Sequence, residues 1–193
     1  MTFTRYIFIV LLAACARQPK ATTSAPPASP ATPSPTSTTN AASFEVAADS
    51  PFAPLRGLLG EWRGEDPDHH STGSFTLGAE LGGKVLVRHN HDDSPQGHHE
   101  DLMIVFASPA GLRAAYFDNE GHAIDYGITT GANGIEFLSD EADGRPRFRL
   151  RYEVHGPDEL AIDFAIAPPG ASDFQHYTGG VVHRVSSVGA KSR

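Results

Sequence analysis

Arg147-Phe148-Arg149-Leu150-Arg151-Tyr152-Glu153-Val154, followed by Gly156-Pro157-Asp158-Glu159 and then Leu160-Ala161-Ile162-Asp163-Phe164-Ala165-Ile166, decides the fold class. In the first run Phe148, Leu150, Tyr152 and Val154 alternate with three arginines and a glutamate. A period of two sends alternate side chains to opposite faces of a strand, so one face is apolar and the other charged. Leu160, Ile162, Phe164 and Ile166 repeat the pattern after a Gly-Pro-Asp turn, which makes an antiparallel hairpin.

The same pattern extends outward in both directions. Phe75 and Leu77 precede Gly78; Leu102, Ile104 and Phe106 precede Ser108-Pro109-Ala110-Gly111. Ile124, Tyr126 and Ile128 precede Gly131, Ile135 and Phe137 precede Ser139-Asp140, and a last strand runs from about Phe174 to Val185. With a strand over residues 61–65, the count is about ten at intervals of roughly 10–14 residues, too close for crossover helices. The fold expected is all-β: an antiparallel up-and-down meander that closes into a barrel, because closure removes exposed strand edges. Side chains alone fill about eight strands, so a ten-stranded interior is expected to hold a cavity. One short helix precedes the meander. Ser50-Pro51 has the form of an N-cap and first helical residue, Phe52, Leu55, Leu58 and Leu59 recur at helical spacing, and Gly60 stops the run.

The chain has 193 residues, a net charge of -8 and a single Cys. That length fits one domain, here residues 43–187, with a flexible tail at 188–193. One Cys excludes an internal disulfide framework and zinc sites built on paired cysteines. The acidic balance argues against nucleic acid as partner, since phosphate backbones are held by clustered Lys and Arg.

The N-terminus reads as an export address. Arg5 is followed by the apolar run Tyr6-Ile7-Phe8-Ile9-Val10-Leu11-Leu12 and by Ala13-Ala14-Cys15. That run is about half the ~20 residues of a membrane-spanning helix. Leu12-Ala13-Ala14-Cys15 resembles the lipobox of bacterial lipoproteins. The resemblance implies a signal peptide over residues 1–14 and a diacylglycerol on Cys15. Ala16, where Asp would retain the protein at the inner membrane, then implies an outer-membrane location. The competing reading is an ordinary signal peptide with an incidental Cys. Residues 16–42 are almost entirely Pro, Ser, Thr and Ala without large apolar side chains, so 15–42 is expected to be a lipidated, disordered tether.

Leu58-Leu59-Gly60-Glu61-Trp62-Arg63-Gly64-Glu65 resembles the Gly-x-Trp-x-Gly opening of calycin-type barrels, which include lipocalins, fatty-acid-binding proteins and nitrobindin-like haem barrels. The resemblance implies that Trp62 closes the barrel base beneath the helix. It also implies a haem ligand near the C-terminal strands, where His176 is the matching residue. Trp62, Arg88, Tyr116 and Tyr126 are the expected ligand-binding residues of the cavity. Arg88 sits on the face of Leu86 and Asn90, beside Leu102 and Ile104. There it either meets a ligand carboxylate or pairs with Asp163 or Glu153.

Histidines supply the remaining candidate chemistry. Residues 85–102 read as a hairpin centred on Ser94-Pro95. With His91 opposite His99 and His89 opposite Asp101, four possible ligands of a divalent metal share one face; a slip of one residue substitutes His98 and Glu100. The competing reading is a solvated polar hairpin at the barrel rim. Asp118 and His122 flank Asn119-Glu120-Gly121 and form either an acid/base pair or a structural pair that ties the turn. His176 and His183 are seven apart and face opposite sides of an unbroken strand. No nucleophile motif or phosphate loop is present, so nothing demands catalysis. The function expected is a membrane-tethered barrel that binds a small apolar or amphipathic molecule. The alternatives are a metal- or haem-dependent enzyme or sensor, and an envelope interaction protein with a filled barrel.

Overall fold

A computed structural model describes residues 43–66, 70–132 and 134–185. The expected signal peptide at 1–14, the lipidation expected at Cys15, the expected tether up to residue 42 and the expected tail at 188–193 lie outside the described residues. Ten strands follow a short 3-10 helix, Ala53–Leu58: β1 (Gly60–Asp66), β2 (Ser71–Glu80), β3 (Val85–Ser94), β4 (Gly97–Ser108), β5 (Gly111–Asp118), β6 (Ala123–Gly131), β7 (Gly134–Ser139), β8 (Arg147–Val154), β9 (Glu159–Ala167) and β10 (Gln175–Arg184). Each pairs antiparallel with its neighbour in sequence, and β10 returns to β1. The barrel is closed. Among the described residues the closing seam has two register pairs, Trp62 with Arg184 and Arg63 with His183, against seven between β1 and β2.

The helix starts later and winds tighter than its sequence pattern predicts. Ser50 Oγ accepts the N–H of Phe52 in a preceding turn, Phe52 becomes the cap residue, and Pro54 falls in the first helical turn. Six residues fit two turns of 3-10 helix but less than two of α-helix. The apolar face survives the change: Phe52, Leu55, Leu58 and Leu59 are all buried. They seal one end of the barrel, called the base below.

Trp62 and Arg184 lock that end. The Trp62 indole N–H donates to Leu58 O at 2.9 Å, and the Arg184 guanidinium lies 4.1 Å over the indole ring. Arg184 also donates to Leu59 O and Pro157 O. Gly60 has φ +135, a backbone conformation that favours glycine, and a β-carbon there would displace the Arg184 guanidinium.

Side chains fill the lower interior. Ring centroids run Trp62 to Phe75 at 6.2 Å, Phe75 to Tyr152 at 6.0 Å, Tyr152 to Phe137 at 5.8 Å and Phe137 to Tyr126 at 6.4 Å. All five rings are buried, together with Leu86, Met103, Val105 and Leu160. Large aromatic residues thus occupy volume that strand number alone would leave empty.

Candidate functional site

At the opposite end, the mouth, inward-facing side chains lose their cover. Phe148 faces inward in step with Leu150 and Tyr152, and Phe164 and Ile162 lie opposite Leu150 and Tyr152 on β9. Phe148, Ile162, Phe164 and, on β6, Ile124 are half-buried, whereas the residues below them are buried. Phe148 and Phe164 stack at 6.1 Å. Thr178 and Gly180 face them from β10, aligned with buried Val182, yet both are exposed. A β-carbon built on Gly180 meets no heavy atom within 4 Å. Among the described residues, the upper interior is therefore unfilled beside Gly180.

The facing wall, β3 to β5, is polar. The two-residue loop Pro95-Gln96 sets its register: Ser94 pairs with Gly97, and Ser94 Oγ donates to Gly97 O and accepts the N–H of Gln96. Asn90 then lies opposite Asp101 and Asp92 opposite His99, all facing inward with Arg88, Tyr116 and Asp118. Arg88 donates from Nη2 to both Asp101 oxygens at 2.6 Å and from Nη1 to Tyr152 Oη. Burial works against the guanidinium charge, but Tyr152 and Asp101 more than offset it, so the Arg88 pKa is raised. Burial likewise raises the phenol pKa values of Tyr152 and Tyr116. Tyr116 Oη is 3.2 Å from His99 Nε2 and donates to Asp118 at 3.3 Å. Asn90 donates to Asp92 at 2.6 Å.

Several sequence expectations need correction against this geometry. Trp62 and Tyr126 are packed core, 0% and 1% exposed, rather than ligand-facing surface. Tyr116 is half-buried on the polar wall. Arg88 faces inward as read, but its partners are Asp101 and Tyr152, not a free ligand carboxylate, Asp163 or Glu153. Leu102 and Ile104 lie on the outer face, away from Arg88.

The four proposed metal ligands are divided between the two faces. His91 pairs with Glu100 and His89 with Leu102, both on the outside, while His99 and Asp101 point inward. A one-residue slip moves every β4 side chain to the other face, and the two-residue loop imposes that slip. The outer face gathers His91, His98, Asp93 and Glu100 instead. Hydrogen bonds that His98 donates to Asp93 and then to Glu100 raise its pKa.

Asp118 and His122 do meet, at 2.7 Å, as part of a turn. The Asp118 carboxylate also accepts the backbone N–H groups of Glu120 and His122. Burial pushes the Asp118 pKa up, but these bonds outweigh it and the net shift is downward. His176 bonds Asp163 at 2.6 Å on the outer face, so it does not reach the interior as a haem ligand. A bulge at Tyr177 interrupts β10 and turns His176 outward with His183, against the expectation for an unbroken strand. The bulge also places exposed Tyr177 edge-on against Phe164 at 6.1 Å. The sequence reading missed Tyr152, Tyr177 and Thr178 at this site. Gly179-Gly180 was the available signal, as a place where a bulge or a close ligand is tolerated.

Compared with known proteins, the chain matches no protein-family model and no curated protein sequence.

Proposed function

We propose that this chain is an envelope-tethered binding protein whose barrel takes up a small amphipathic molecule. The unfilled upper interior beside Gly180 supports this reading most directly. One wall, from Ile124, Phe148, Ile162 and Phe164, offers half-covered apolar surface for a hydrocarbon or ring body. The other carries Asp92, Asp101 and Asp118 around Arg88, whose charge is already matched by Asp101. Such a wall favours a head group that is cationic or an uncharged hydrogen-bond donor, and disfavours a carboxylate. The lipobox resemblance at Cys15 and the calycin-type resemblance at Trp62 agree with a carrier held at the outer membrane.

One experiment tests both parts. Full-length protein is expressed in a two-membrane bacterium beside Cys15→Ser, and both are titrated with dodecyltrimethylammonium, dodecanol and dodecanoate. Wild type is expected in the membrane fraction and Cys15→Ser outside it. The cationic and neutral amphiphiles should bind at least about tenfold more tightly than the anionic one, a gap of about 1.4 kcal/mol. Gly180→Trp, which grows into the open space, should weaken them by a similar factor. Tightest binding of dodecanoate, or indifference to Gly180→Trp, would refute the binding proposal; equal partitioning of the two forms would refute the anchor.

A further inference from the structure

We propose that His91 Nδ1, His98 Nε2 and Glu100 Oε1 form a site for a divalent first-row transition ion on the outer face of the β3–β4 hairpin, with Asp93 as its positioning residue. The site lies across the sheet from the open interior and is independent of it.

The strand register builds the cluster. His91 stands opposite Glu100 and Asp93 opposite His98, two residues further along, so the pleat puts all four side chains on one face. The three candidate ligand atoms lie within 4.8 Å of one another. Glu100 Oε1 is 3.5 Å from His91 Nδ1 and 3.2 Å from His98 Nε2. In a tetrahedral site with metal–ligand bonds of about 2.0–2.1 Å, adjacent ligand atoms stand roughly 3.3–3.4 Å apart. Those two edges already have the required length.

Asp93 holds the other side of both rings, with Oδ1 2.8 Å from His98 Nδ1 and Oδ2 3.4 Å from His91 Nε2. Asp93 accepts the Nδ1–H of His98, so on the far side of the ring an ion would take the place of the Nε2 proton that now lies toward Glu100. Metal-binding histidines are oriented by such a partner. The two carboxylates, Asp93 and Glu100, supply the negative charge that a divalent cation would balance. Two nitrogen donors favour zinc, copper or nickel over calcium or magnesium, which take oxygen ligands. All four side chains are exposed, and His91 and Glu100 line a groove of about 530 Å³ that runs past Thr76, His89, Leu102 and Phe117, so a further coordination position is open to solvent.

Zinc binding to the full chain carrying Cys15→Ser, which removes a competing thiol, is measured by isothermal titration calorimetry and elemental analysis. One equivalent is expected. His91→Ala with His98→Ala should weaken binding at least about 100-fold, and Asp93→Asn about 10- to 100-fold. Asp93→Asn should also keep the tetrahedral cobalt absorption of the parent, because Asp93 is not a ligand. His122→Ala with His183→Ala, elsewhere on the surface, should leave affinity unchanged. Circular dichroism of each variant verifies the fold, which exposed substitutions should preserve. Absence of saturable binding in the parent, or one-equivalent binding that survives the His91/His98 double substitution, would overturn the proposal. A changed cobalt spectrum in Asp93→Asn would overturn the positioning role.

Discussion

Arg88 is the one arginine or lysine directed inward from the described residues of β3, β4 and β5, and Asp92, Asp101 and Asp118 share its wall. Its bidentate bond to Asp101 is buried, so the pair's Coulomb gain is set against the desolvation of both charges. Such a pair adds little over an apolar substitute, but removing one partner strands the other. Asp101→Asn is therefore expected to destabilise the fold by about 3 kcal/mol, read from urea unfolding. Arg88→Met combined with Asp101→Leu should recover more than half of that loss. If the double variant is as unstable as the single, the cost lies in packing and not in an uncompensated charge. The inward direction of Arg88 was legible from its alternation with Leu86 and Asn90. Its partner was not, because Asp101 reaches it in one hairpin register only.

That dependence belongs to the elements. The strands were legible because alternation is a local property of the chain. The register of β3 against β4 rests on a loop of two residues, and centring the turn one half-step away exchanges His99 and Asp101 for His98 and Glu100. The turn between β5 and β6 is more firmly specified, since Asp118 collects two backbone N–H groups, the His122 ring and Tyr116. These contacts hold its pKa below the ordinary value of 3.8. An acid with a depressed folded pKa stabilises the fold above its unfolded value and loses that contribution as pH falls through the folded value. Asp118→Asn should then cost about 1 kcal/mol at neutral pH. Urea unfolding from pH 7 to pH 2 should show the gap from wild type closing below about pH 4. A gap that stays constant across that range would mean that the charge of Asp118 contributes nothing to the turn.

The closure of the barrel is a property of the whole chain, and here local pattern gives least guidance. Alternation predicted a closed sheet, but not that the described residues of β1 and β10 would be in register at two pairs, both near the base. Gly64 sets the limit: a β-carbon there would fall 2.9 Å from both Val181 O and Val182 Cγ1, while Gly180 looks onto open space. The base is tight because the helix, Trp62 and Arg184 interlock, and among the described residues the mouth end of β10 pairs with β9 alone. Stability distributed in this way should be visible in amide hydrogen exchange, where weakly paired segments open below the global unfolding free energy. Residues 175–180 are expected to exchange at least about tenfold faster than residues 101–106, which sit between two fully paired neighbours. Bound dodecyltrimethylammonium should slow exchange at 175–180 more than at 181–184. Equal protection around the barrel before ligand is added would mean that the seam is as firm as the other strand pairs.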